Sequence, residues 1–111
     1  MGQGMRYFRK RTCANVCCCP ECRATVGGQS YMGNVNTTVS GRTCQAWTRD
    51  SPHYHTYDSD NRYPDGSVSA AGNKCRNPSS SNWYGGVWCY TTDPDMWWEL
   101  CDIPLCSGEC T

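Results

Sequence analysis

The chain has 111 residues and a formal net charge of zero, with 11 cysteines, five tryptophans and seven tyrosines. This length suits one domain with short tails rather than two domains. Leu, Ile, Val and Phe together number only 10, and with so little aliphatic content and 11 Gly the chain cannot form a helix bundle or a doubly wound sheet. The balanced charge argues against nucleic acid as a partner, because nucleic-acid binding favours a basic face.

Cysteine accounts for about one residue in ten, a density typical of small secreted domains whose thiols are oxidised to disulfides. We therefore predict a secreted, extracellular protein in which cross-links replace the missing aliphatic core. No stretch of 18 apolar residues exists, so we predict no transmembrane segment. The N-terminus also lacks the apolar run of a secretory signal, and we interpret the sequence as a fragment or a processed form.

Residues 1–21 are predicted to form a tail outside the folded domain. Basic residues without acidic neighbours occupy its first half, as in a solvated leader; they are Arg6, Arg9, Lys10 and Arg11. Two alternatives stay open for the run 9–11. It is either a site cleaved by secretory proteases or a weak anchor to an anionic surface.

Five cysteines crowd the region from position 13 to position 22. Adjacent cysteines do not readily bond to each other, so their disulfide partners lie elsewhere. The CxxC of Cys19 and Cys22 suggests a zinc site, with His53 and His55 as further ligands. A second CxxC is absent and the H-x-H spacing is not that of a zinc finger, so we predict no metal site and no other cofactor.

The chain after Cys22 predicts short elements separated by turns. Gly, Asn, Asp, Ser and Pro recur every few residues, and short strands are predicted at 34–38 and 88–92, where β-branched or aromatic residues concentrate. Residues 57–72 are predicted to be a long surface loop. No apolar period of 3.6 residues persists for ten residues. The sequence thus predicts a mostly irregular domain held together by disulfides and aromatic packing.

Six motifs in order closely resemble a kringle domain. They are QSYMG at 29–33, SGRTCQAW at 40–47, PHYH at 52–55, NKCRNP at 73–78, WCYTTDP at 88–94 and WELCDIPLC at 98–106. The resemblance implies a kringle domain over about residues 22–106, with residues 107–111 as a C-terminal tail. It also implies a small disulfide-rich kringle fold, mostly loops and turns with a few short antiparallel β-strands.

The same resemblance implies three disulfides: Cys22–Cys106, Cys44–Cys89 and Cys75–Cys101. The outermost bridge closes a long loop, which contributes about 4 to 5 kcal/mol in the chain-entropy model, so we expect reduction to unfold the domain. Five cysteines remain outside this set: Cys13, Cys17, Cys18, Cys19 and Cys110. We expect Cys110 to pair with one of the other four. Because the total is odd, at least one cysteine has no partner within the chain and is either a free thiol or the link of a covalent homodimer.

Ligand-binding kringles hold a lysine in a trough with aromatic walls, an acidic pair for its ammonium and basic residues for its carboxylate. The matching walls here are Trp88, Tyr90 and Trp98. The acidic pair is missing, because serines stand at 79–81, and aromatic Trp97 and Tyr57 replace the basic residues. A lysine without its carboxylates loses on the order of 2 to 5 kcal/mol. We therefore predict weak or no binding of lysine analogues, unless Asp58, Asp60 or Asp95 replaces the missing acids.

The aromatic residues that remain predict a binding patch. It comprises Tyr57, Trp83, Tyr84, Trp88, Tyr90, Trp97 and Trp98. The alternative for some of them is that Trp47, Trp88 and Trp98 pack around the disulfides. An exposed aromatic cluster more often marks a protein contact than an unused surface. The resemblance implies structural hydrogen bonding for His53 and His55, and Asn36 begins an N-glycosylation sequon.

We therefore predict a secreted, non-catalytic kringle module that binds an extracellular protein or peptide through its aromatic patch. No arrangement of Ser, His, Asp or Cys indicates catalysis beyond the presence of those residues. One alternative is a stand-alone cysteine-rich effector, such as a toxin or a secreted signal, that forms a covalent dimer. Another is an accessory kringle fragment of a larger secreted serine protease.

Overall fold

The computed structural model describes residues 21–79 and 85–106, and within them regular structure is sparse. A 3-10 helix spans Asp60–Arg62, α1 spans Val68–Ala71, β1 spans Trp88–Tyr90 and β2 spans Trp98–Leu100. The two strands pair antiparallel. Neither helix is long and apolar enough to cross a membrane. The predicted class is confirmed: this is a small disulfide-rich domain with little helix and one short antiparallel sheet.

Two predictions about local structure need correction. Residues 34–38 do not form a strand, because the chain turns back directly after them. Gly41 donates its backbone N–H to the carbonyl of Thr38. Within segment 34–38, the only β-type pairing is one isolated bridge, between Thr37 and Thr43. Segment 57–72 is not purely a surface loop, since three of its side chains enter the core: Tyr63, Val68 and Ala71.

The centre of the domain consists of two disulfides in contact. Cys44–Cys89 and Cys75–Cys101 are both buried, and the sulfur atoms of Cys44 and Cys75 approach to 3.7 Å. The third bridge, Cys22–Cys106, joins residues 84 positions apart and brings the two ends of the described chain together. These are the pairs that the family resemblance implies. The extra cysteines at 13, 17–19 and 110 lie outside the described residues, as do both predicted tails apart from Glu21.

Trp47 is the largest fully buried side chain and packs beside these disulfides. Its ring meets four others edge-on at centroid distances of 5.3 to 6.0 Å, and its indole N–H donates to the backbone carbonyl of Lys74 at 2.7 Å. Edge-to-face packing of this kind adds to the energy of burial. Aromatic rings therefore fill the volume that aliphatic side chains fill in an ordinary core. The four rings belong to His55, Tyr63, Trp88 and Tyr90.

A buried ion pair ties the loop before α1 to the core. Arg76 donates to both carboxylate oxygens of Asp65, at 2.9 and 2.8 Å, and also to the backbone carbonyl of Gly33. The two side chains are only 3% and 9% exposed. The hydrogen bonds from Arg76 hold the pKa of Asp65 below its ordinary value. This pair replaces apolar packing at the edge of a small core.

We predict that Asp65→Asn lowers the free energy of unfolding by about 3 kcal/mol, because it leaves the Arg76 charge buried without its counter-ion. A carboxyl with a depressed native pKa stabilises the fold above its unfolded pKa of about 4, and this contribution is lost as the pH falls through the native value. The acid limb of the stability curve should therefore be shallower in the variant. Denaturant unfolding from pH 2 to 7, with exposed Asp102→Asn as the control, measures both effects. Equal loss in the two variants would contradict the role of the pair.

Candidate functional site

A shallow trough of about 190 Å³ opens on one face of the domain. Four aromatic side chains and one serine line it: Tyr57, Ser79, Trp88, Tyr90 and Trp98. These residues come from four separate parts of the chain, and the disulfide-linked core brings them together.

The strands explain how three of the rings reach one face. Side chains two positions apart on a strand point the same way, so Trp88 and Tyr90 of β1 both face the trough. Trp98 on β2 lies directly opposite Tyr90 in the pairing. Asn77 fixes the Trp88 ring, because its side-chain oxygen accepts from the indole N–H at 3.1 Å. The amide nitrogen of Asn77 in turn donates to the carbonyl of Gly27.

The rings pack on one another with Trp88 at the base. Its centroid lies 5.7 Å from that of Tyr57, 5.0 Å from Tyr90 and 6.0 Å from Trp98, all edge-on. Trp88 is 5% exposed and Trp98 is 44% exposed. Trp88 therefore belongs to both the core and the trough, as the floor of the latter. Trp98 is an outer wall with a large exposed surface.

No carboxylate lines the trough within residues 21–79 and 85–106. Ser79 stands at the first of the serine positions predicted to replace the acidic pair. Of the candidate replacements, Asp60 uses its carboxylate to accept the backbone N–H of Val68. Asp58 lies close to His55, and Asp95 is exposed. Neither residue lines the trough. A ligand ammonium thus has no counter-ion in this lining.

Tyr90, which lies in β1 and lines the trough, is neutral at physiological pH. Burial, with a smaller electrostatic contribution from Tyr57, raises the pKa of Tyr90 to about 12. The lining is therefore apolar rings, phenol hydroxyls and one serine, without formal charge. Such a surface attracts apolar and aromatic groups by contact area and ring stacking.

The predicted patch of seven aromatic residues is only partly gathered at the trough. Trp97 points elsewhere: its ring stacks on His53 at 6.3 Å with an interplanar angle of 16°, and it is 61% exposed. The alternation of side chains along a strand explains the difference between Trp97 and Trp98. Trp83 and Tyr84 lie outside the described residues.

His53 and His55 make hydrogen bonds inside the fold. The Nε2 atom of His53 lies 2.9 Å from the carbonyl of Asp93. The Nε2 atom of His55 lies 2.8 Å from the carbonyl of Trp47, and its Nδ1 accepts the backbone N–H of Tyr57. His55 therefore has no free ring nitrogen for a metal ion, although the carboxylates of Asp50 and Asp58 lie nearby. The buried cysteines that lie close together are bound in disulfides.

The residues of the sequon do not line the trough. Asn36 is exposed. Thr38, the hydroxyl residue of the sequon, is buried and donates to the carboxylate of Glu99 at 2.6 Å.

Comparison with known proteins gives one family and several relatives. A family model described as Kringle domain matches residues 19–106. The chain is 51% identical to human apolipoprotein(a)-like protein 2 over 83 residues, which are 74% of this chain and 58% of that protein. It is 44% identical to goat (Capra hircus) plasminogen over 82 residues, 74% of this chain and 62% of that protein. The chain thus spans about three-fifths of the length of these relatives.

We predict that Trp98→Ala changes the free energy of unfolding by less than about 1 kcal/mol, as is usual for surface positions. Trp47→Ala should cost about 3 to 5 kcal/mol, because it empties the centre of the aromatic core. Denaturant unfolding of the oxidised proteins measures both, and Trp47→Phe serves if the alanine variant does not fold. A loss at Trp98 as large as that at Trp47 would mean that Trp98 is part of the core rather than an available wall.

Proposed function

The chain belongs to the kringle family, as its six motifs predicted, and from this membership we propose that it is a secreted, non-catalytic module that binds a protein or peptide through its aromatic trough. Kringle domains are typically protein-binding modules of secreted proteins such as plasminogen. The activities of the full-length relatives are not part of the proposal.

The observation that carries the proposal is the open trough with four aromatic side chains. A small domain with so few apolar residues buries the rings that it can, and Trp47 and Trp88 are buried. Trp98 nevertheless keeps 44% of its surface exposed beside Trp88. Aromatic side chains that line a concave surface are the residue types that dominate binding energy at protein interfaces. The proposed contact residues are Tyr57, Trp88, Tyr90 and Trp98, with Trp97 as a separate exposed anchor.

The absence of carboxylates from the described lining supports a partner that is not a lysine side chain. An ammonium placed between these rings keeps only cation–π attraction, about 0.5 to 2 kcal/mol, and loses its charge-assisted hydrogen bonds. We therefore propose that lysine analogues bind this module weakly or not at all.

A capture experiment tests the proposed contact surface. Immobilised wild-type protein should retain partners from extracellular fluid, and Trp98→Ala should reduce that retention at least about tenfold, the effect of losing one interface anchor worth more than 1.4 kcal/mol. Tyr54→Ala is the matched control, because Tyr54 is 66% exposed and does not line the trough. Equal capture by all three proteins would count against the trough. Trp97→Ala is a fourth protein in the series, and loss of capture in that variant alone would indicate that the partner contacts Trp97 instead of the trough.

A gain-of-function variant tests the explanation for weak lysine binding. Wild-type protein should bind 6-aminohexanoate with a dissociation constant above about 1 mM, which corresponds to 4.1 kcal/mol. Ser79→Asp restores one carboxylate to the lining and should tighten binding about tenfold through a charge-assisted contact. The control is Ser69→Asp, at an exposed position of α1. Calorimetric titration measures all three proteins, and submillimolar binding by the wild type would contradict the proposal.

A further inference from the structure

One cation stands beside the uncharged trough. The guanidinium carbon of Arg62 lies 5.8 Å from the centre of the Tyr57 ring, and its Nη1 donates to the backbone carbonyl of Pro78 at 2.9 Å. Tyr57 lines the trough, and Pro78 directly precedes Ser79, which also lines it. Arg62 therefore bridges two segments of the trough wall, on the side where Tyr57 and Ser79 contribute.

Arg62 differs from the arginines that hold the fold together. Arg42 pairs with the carboxylate of Asp93 at 3.0 Å, and Arg76 pairs with Asp65 at 2.8 Å. No carboxylate in the described part of the chain lies within ion-pair distance of Arg62. Its bond to a neutral carbonyl and its contact with a ring position the guanidinium without neutralising it. An arginine keeps its charge at any physiological pH.

We propose, building on the trough as the binding site proposed above, that Arg62 makes it selective for the C-terminal carboxylate of a polypeptide whose last side chain is aromatic. The ring enters the trough and the carboxylate pairs with Arg62. This ligand has no ammonium near the rings, and its binding requires no acidic group in the lining.

Size and charge both favour this ligand. At about 190 Å³ the trough is smaller than a typical small-molecule pocket, and it suits one side chain rather than an extended segment. A ring stacks on Trp88 and Trp98 with the geometry that aromatic pairs prefer. The planar guanidinium offers a carboxylate a fork of parallel donors. A C-terminal aromatic residue joins a ring and a carboxylate within one residue, whereas an internal acidic side chain brings the charge without the ring.

A matched series of small ligands tests the inference. N-acetyl-phenylalanine carries the free carboxylate, and N-acetyl-phenylalanine amide differs from it only by a neutral end. N-acetyl-glutamate amide represents an internal acidic side chain, and phenethylamine reverses the charge. Titrations followed by amide and indole NMR shifts suit the millimolar range. We expect the free acid to bind about fivefold more tightly than its amide, the effect of a partly exposed ion pair of about 1 kcal/mol.

Variants assign the effect to its residues. Arg62→Gln should make the acid and the amide bind equally, Arg62→Lys should restore part of the preference, and Arg49→Gln, an exposed arginine outside the trough, should leave it unchanged. Trp98→Ala should weaken both ligands. Equal wild-type binding of acid and amide, with loss of both in Trp98→Ala, would overturn the inference and leave the aromatic site intact. Preference for phenethylamine or for the glutamate amide would also overturn it, and binding of no ligand would count against the trough itself.

Discussion

The structure depends on the contact between two disulfides. Cys44–Cys89 and Cys75–Cys101 meet at 3.7 Å in the centre of the domain, where a larger protein has a cluster of aliphatic side chains. Cys89 lies in β1, and Cys101 directly follows β2. The bridges therefore hold both strands of the trough from behind, and Trp47 fills the space beside them. A sheet of two three-residue strands is not stable alone. Here covalent links give the sheet a fixed position, so its outer face can carry the side chains that line the trough.

The sequence predicts much of this arrangement, because the six motifs are specific and the disulfide pairs follow from the family that they resemble. Local periodicity accounts for Trp88, Tyr90 and Trp98 on one face. The burial of Val68 and Ala71 could not be predicted, since α1 has only four residues and is too short to show an apolar period. The position of Arg62 also depends on long-range packing, because this last residue of the 3-10 helix donates to the carbonyl of Pro78, 16 residues later.

We propose that charge distinguishes this trough from the lysine site that the family resemblance implies. The aromatic walls stand at the matching positions, but serine replaces an acidic residue at position 79 and tyrosine occupies a basic position at 57. In the binding mode that we propose, contact area and stacking supply the attraction, and Arg62 beside the trough decides between ligands. Electrostatic groups at such a rim contribute more to specificity than to affinity. On this proposal, one scaffold changes its ligand class through a few surface substitutions, with the disulfide core unchanged.

We propose that the trough binds aromatic groups rather than ammonium groups. The indole N–H resonances of Trp88 and Trp98 in ¹⁵N-labelled protein report this directly, because the two rings form its floor and outer wall. We predict that a peptide ending in phenylalanine shifts both resonances in a saturable manner, while 6-aminohexanoate at the same concentration leaves them in place. Saturable shifts with 6-aminohexanoate and none with the aromatic peptide would contradict this proposal.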